Sequence, residues 1–173
     1  MPRIHVCSLA RLAETVRATR ASHVTTLISA ETSVPTPAGV TPENHLFLGF
    51  NDIIEPADGL TPPAQIHVER LIDFATRWDR ARPMVIHCYA GVSRSTAAAF
   101  IALCALDPTL DERELADELR RRSPSASPNS RMVRFADAIL AREGRMIAAI
   151  EAIGRGRDCY EGDPFQFAVG GTP

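Results

Sequence analysis

The 173-residue chain contains no lysine; all 19 of its basic residues are arginine. Compositional bias of the source genome accounts for such an absence, but it sets one constraint: no side-chain amine can enter any mechanism assigned to the protein. Membrane and export signals are missing too. No apolar run approaches the ~18 residues of a membrane span, and the first residues show no charged-then-apolar leader pattern. The four cysteines, Cys7, Cys88, Cys104 and Cys159, lack the paired spacings of a zinc site or a redox CxxC motif. Nor is there a basic excess: 21 acidic residues leave a net charge of −2, which argues against nucleic acid as a partner. Together these absences predict a soluble, cytoplasmic protein with reduced thiols and no membrane or nucleic-acid partner.

What is present is 45% hydrophobic and 23% charged, enough for one domain with a sizeable core. Apolar and β-branched runs predict strands over 4–7, 24–29 and 45–50, and a fourth run, Met84-Val85-Ile86, leads into His87-Cys88. Apolar residues at helical spacing predict helices over 9–20, 63–80, 96–106, 110–122, 130–142 and 145–153. Asp111 and Glu114 form a capping-box-like start to the fourth of these. Strands alternating with helices predict an α/β fold, a single domain over 1–155 with a central, mostly parallel sheet flanked by helices. Residues 156–173, with Gly156, Gly162, Gly170 and Gly171, read as a C-terminal tail of low order, for which Tyr160, Phe165 and Phe167 are the available anchors. Ligands in such sheets bind beyond the carboxyl ends of the strands. Cys88 and Asp52 each follow a strand candidate, which predicts that both face the same edge.

The chemistry concentrates in Met84 to Ser95, which reads as strand, tight loop and helix. A cysteine is a nucleophile only as thiolate, and a helix N-terminus and neighbouring positive charge favour that form. Loop amides pointing inward, the following helix and Arg94 would supply both, and the same cradle attracts a phosphate dianion. Arg94 can hold two phosphate oxygens in a fork that a point charge cannot match. Gly91 permits the backbone turn of a tight anion nest, and Ser95 can donate a hydrogen bond to the sulfur. A buried, inert thiol at a strand end is the competing reading of Cys88. The combined register of His-Cys, glycine, Arg-Ser and helix weighs against it.

His87-Cys88-Tyr89-Ala90-Gly91-Val92-Ser93-Arg94-Ser95 resembles the signature loop of cysteine-dependent protein tyrosine phosphatases, and its A-G-x-S-R-S form is most similar to the dual-specificity branch. Weaker similarity extends over about 45–140. The resemblance implies a metal- and cofactor-free hydrolysis of phosphotyrosine in proteins, with phosphoserine and phosphothreonine as further substrates, through a phosphocysteine on Cys88. The backbone amides of Tyr89, Ala90, Gly91, Val92, Ser93 and Arg94 would bind phosphate, together with the Arg94 side chain. Ser95 would ease thiolate departure, and His87 would position the loop and favour the charged cysteine. Asp52 would be the general acid, with Asp58 and Glu55 as rivals in the same loop. Asn129 is expected to cap a helix and to support the phosphate loop. Arg131 and Arg134 are candidates for contact with a phosphorylated protein or peptide. The Arg120 to Arg122 run reads first as charge favourable at a helix C-terminus. Cys104 reads as a core residue.

Two alternatives stay open. The same chemistry could act on a phosphoinositide or an RNA 5′-phosphate, although Tyr89, Ala90 and Val92 offer no basic residue for a lipid headgroup. The chain could also bind phosphopeptides without catalysis, although no catalytic candidate is missing.

Overall fold

β-Branched and apolar runs lay down four parallel strands: β1 (Arg3–Ser8), β2 (His23–Ile28), β3 (His45–Gly49) and β4 (Met84–Cys88). The computed structural model describes residues 1–170. A fifth strand, β5 (Phe165–Ala168), pairs antiparallel with β1 and completes the sheet in the order β3-β2-β4-β1-β5. β4 is central and buried throughout, as expected of a parallel strand covered on both faces. Its register sets Cys88 opposite Ser8 of β1 and His87 opposite Thr26 of β2. The carboxyl ends of the parallel strands therefore meet at one edge, and that edge carries the loops that follow β1, β3 and β4.

One helix, α1 (Leu12–Thr19), covers the first face, where Leu12 and Val16 pack with Cys7, Val24 and Val85. The other face is covered by α3 (Arg94–Leu106), buried at every position from Arg94 to Cys104. A helix that is apolar all round needs neighbours on every side. These are α2 (Gln65–Arg77), α4 (Glu112–Arg122) and α5 (Ser130–Ile139), with α6 (Arg145–Ile153) packed outside them on α4 and α5. Ala97, Ala98, Ala99 and Ala102 keep α3 slim enough for β4 and its surrounding helices to close in, with no exposed area on any of them. Asp111 caps α4 by accepting from the amides of Arg113 and Glu114. No helix among the described residues is long and apolar enough to cross a membrane.

Two features depart from the sequence expectation. The residues after 153 contain β5, with Phe167 buried in the main core and Phe165 packed against it; residues 171–173 of the expected tail lie outside the described residues. The helix expected over 130–142 stops at Ile139, because Ala141 turns left-handed (φ 51°) and directs Arg142 inward. There Arg142 pairs with Glu112 at 2.7 Å and donates to the Cys104 carbonyl at 2.6 Å. Both side chains of that pair are more than nine-tenths buried. Removing one partner of a buried pair strands the other's charge, at a typical cost of about 3–5 kcal/mol. Glu112→Ala should lower the unfolding free energy by an amount of that order in urea titrations at pH 7.

Candidate active site

Residues 88–94 turn tightly between β4 and α3, and the turn depends on Gly91. Its φ is +74°, and a Cβ there would lie 2.9 Å from the Ser8 amide nitrogen and 3.0 Å from the Cys7 carbonyl carbon. The loop is thus pressed against the end of β1, where only a glycine fits. Cys88 Sγ sits at the bottom of the turn, almost fully buried. It accepts the Gly91 N–H at 3.3 Å and lies 3.1 Å from Ser95 Oγ, whose hydroxyl can donate to it. α3 begins at Arg94, so the positive end of its dipole faces the same point.

Arg94 is buried, and one guanidinium nitrogen donates to the Phe50 carbonyl at 2.8 Å. Its Nε has no partner, and no carboxylate pairs with it among the described residues. A buried donor left open on a permanent cation is the mark of a site built for an anion. The Phe50 contact also ties the guanidinium to the start of the loop that carries Asp52.

Asp52 reaches the loop between β4 and α3 through its own side chain. Asp52 Oδ1 accepts from Ser93 Oγ at 2.8 Å and from Asn129 Nδ2 at 2.9 Å. Its rivals, Glu55 and Asp58, are exposed as Asp52 is, but make no hydrogen bond or ion pair to the loop. Asn129 has two jobs at once: its Oδ1 caps α5, accepting from Arg131 and Met132, while its amide nitrogen holds Asp52 and donates to the Ile53 carbonyl. Arg131 is not free for a substrate. Its guanidinium donates to the Pro63 carbonyl at 2.7 Å and the Ile54 carbonyl at 3.1 Å, closing the Asp52 loop, and stacks on Phe135. Arg134 is exposed and contacts none of these groups. The Arg120–Arg122 run is likewise spent internally. Arg120 donates to the carbonyls of Ser123, Pro124, Ala126, Ile153 and Gly154, while Arg121 and Arg122 pair with Glu118.

His87 is fully buried behind the cysteine. Its Nδ1 lies 3.3 Å from the Cys88 carbonyl, which can only accept, so Nδ1 carries the proton. Nε2 must then accept from Thr26 Oγ1 at 2.7 Å, and Thr26 in turn accepts from His45 Nε2 at 2.8 Å. The chain ends at Thr36 Oγ1, 2.9 Å from His45 Nδ1. Burial pulls the His87 pKa down to about 4. The imidazole is neutral at pH 7, so it serves Cys88 by fixing its carbonyl and not by charge. Thr26 and His45 had no local signal in the sequence. Burial pushes the thiols of Cys7 and Cys104 up to about 12, which makes both inert core residues.

No protein-family profile matches the chain, and no curated protein does so at a significant level. Solved structures do match its fold. The PTP-2 phosphatase of Cydia pomonella superposes with a TM-score of 0.62 at 18% identity, covering 78% of this chain and 84% of that one. DUSP15 superposes with a TM-score of 0.62 at 18% identity, covering 86% and 90%. The human tyrosine phosphatase-like serine/threonine/tyrosine-interacting protein gives 0.58 at 15% identity, covering 79% and 87%. The chain therefore shares the α/β fold of these dual-specificity phosphatases.

The buried imidazole makes stability depend on pH. A free histidine takes up its proton near pH 6.5, whereas His87 does so near 4, so the unfolded state gains protons first as the pH falls. Between pH 7 and 4.5 His87 should therefore cost about 2–3 kcal/mol of stability, and nothing above pH 7. His87→Gln should flatten the urea-unfolding free energy over this range by that amount relative to wild type.

Proposed function

We propose that the protein is a metal-independent phosphatase that hydrolyses phosphotyrosine in proteins, and phosphoserine or phosphothreonine as well, through a phosphocysteine. The observation that carries this reading is a single cradle holding a buried cysteine sulfur, an inward amide and an open guanidinium nitrogen, with a carboxylate fastened to its rim.

The thiolate of Cys88 attacks phosphorus in line with the departing oxygen. Arg94 and the loop amides bind the equatorial oxygens and oppose the charge that grows on them in the transition state. Asp52 gives its proton to the leaving oxygen, so a tyrosyl group departs as the neutral phenol. Water then attacks the phosphocysteine, Asp52 takes its proton, and the sulfur leaves as a thiolate that accepts the Ser95 hydroxyl hydrogen. Ser93 and Asn129 keep the carboxylate at the rim through both steps. A groove of about 440 Å³ opens beside Asp52, lined by Ile54, Ser127, Asn129, Ile150 and Arg155. Its size and mixed lining suit a peptide segment flanking the phosphorylated residue.

Activity toward p-nitrophenyl phosphate and a phosphotyrosine peptide should persist in EDTA and vanish in Cys88→Ser, while that variant still binds a phosphate analogue. Asp52→Ala should cost roughly 10²–10⁴-fold on the peptide, and less on p-nitrophenyl phosphate, whose leaving group needs little protonation. Full activity in Asp52→Ala would transfer the acid role to Glu55 or Asp58. Binding without turnover in the wild type, with Cys88 reduced, would make the protein a phosphopeptide-binding module.

A further inference from the structure

The carbonyls of the phosphate loop are held from outside, three of them by amides from distant parts of the chain and the last two also by the first turn of α3. The Leu9 amide donates to Tyr89 O at 3.1 Å, and the Gly162 amide donates to Ala90 O at 2.9 Å. The Ser127 amide donates to Val92 O at 2.9 Å, Thr96 Oγ1 donates to the same oxygen, and the Ala97 amide donates to Ser93 O at 3.0 Å. All peptide bonds among the described residues are trans. In a trans peptide the C=O and the following N–H point in opposite directions. Each outward pull on a carbonyl therefore aims the next N–H into the cradle.

The Ala90–Gly91 peptide matters most, because its N–H is the amide found 3.3 Å from Cys88 Sγ. Its carbonyl is held by Gly162 alone among the described residues. The segment around Gly162 is built to bring that amide there. The Gly156 amide donates to Ser127 Oγ at 3.0 Å, and the Arg157 amide donates to the Pro124 carbonyl at 2.9 Å. Ser8 Oγ donates to Glu161 Oε1 at 2.5 Å, and β5 then anchors the segment on β1. Gly162 is buried between the exposed Glu161 and Asp163. A Cβ on it would lie 3.0 Å from the Gly91 carbonyl oxygen and 3.3 Å from Val92 Cγ2. A side chain there would push the strap back from the loop by a few tenths of an ångström.

We infer that the segment from Gly154 to Asp163 is a strap whose Gly162 N–H acts as a positioning group, holding the Ala90–Gly91 peptide so that the Gly91 amide faces the nucleophilic sulfur and the phosphate. This rests on the reading of Cys88 as the nucleophile. The Gly162 N–H reaches the loop from behind and bonds only the Ala90 carbonyl; it works by fixing the direction of one peptide dipole. Without that hold the peptide is free to rotate, and the thiolate loses a hydrogen bond from its cradle.

The test uses the full chain and two substitutions. Gly162→Pro deletes the donor; Gly162→Ala keeps it but forces the strap back from the loop. Alkylation of Cys88 by iodoacetamide is followed against pH by mass spectrometry of the Cys88 peptide, with Cys159 in the same digest as an exposed reference thiol. Gly162→Pro should move the Cys88 alkylation profile about one unit toward alkaline pH, a roughly tenfold loss of thiolate on its acidic limb, with the Cys159 profile unchanged. kcat/KM for p-nitrophenyl phosphate on the acidic limb should fall by the same factor. Gly162→Ala should shift both in the same direction by less, and it decides the matter if the proline variant does not fold. Folded variants with the wild-type Cys88 profile would overturn the strap's role and leave the phosphatase reading intact. A shifted profile in a protein without phosphatase activity would support the strap and remove the phosphatase.

Discussion

A guanidinium buried without a carboxylate is the constraint on which the site depends. Arg94 carries a permanent charge, starts a helix whose dipole also points positive, and faces a loop whose amide hydrogens turn inward. Like signs are gathered in one small volume, which is unfavourable until an anion arrives. The contrast with Arg142 is instructive. That guanidinium is equally buried, but Glu112 answers it and a core carbonyl takes the remaining donor. One arginine is consumed by the fold; the other is left with an open donor, free to meet an anion.

The rest of the edge is arranged to keep that unfavourable geometry in place. Gly91 presses the loop onto β1, α3 is anchored on all sides by apolar contacts, and neutral His87 grips the Cys88 carbonyl through a relay of Thr26, His45 and Thr36. Asp52, Ser93 and Asn129 join the loops after β3 and β4 to the start of α5. Rigidity is supplied mostly by neutral hydrogen bonds, which do not compensate the positive cradle.

Much of this was legible in the residues because it is local. The strand, loop and helix of Met84 to Leu106 follow one another within a short stretch, and the spacing of Cys88, Gly91 and Arg94 specifies the turn. The strand preceding Asp52 could be read for the same reason. What could not be read depends on contacts distant in sequence. Phe165 to Ala168 is a four-residue strand among glycines and prolines, and only pairing with β1 makes it one. Arg131 reads in the sequence as a candidate for substrate contact because its charge is visible while its carbonyl partners, Ile54 and Pro63, are not. The Thr26–His87 bond spans two strands, and nothing near either residue announces it.

The position of the strap in the chain bears on how the protein reaches its working form. Contacts of high sequence separation close late in folding, and a nascent chain folds as it emerges. Cys88, Gly91 and Arg94 leave the ribosome long before Gly162 and β5. The core of α3 and the parallel strands can assemble around the cysteine while the edge of β1 is still unpaired and the Ala90 carbonyl is still unheld. The loop would then take its final form last, completed by a segment from the far end of the chain, and a chain interrupted before Gly162 would hold Cys88 in an unfinished cradle.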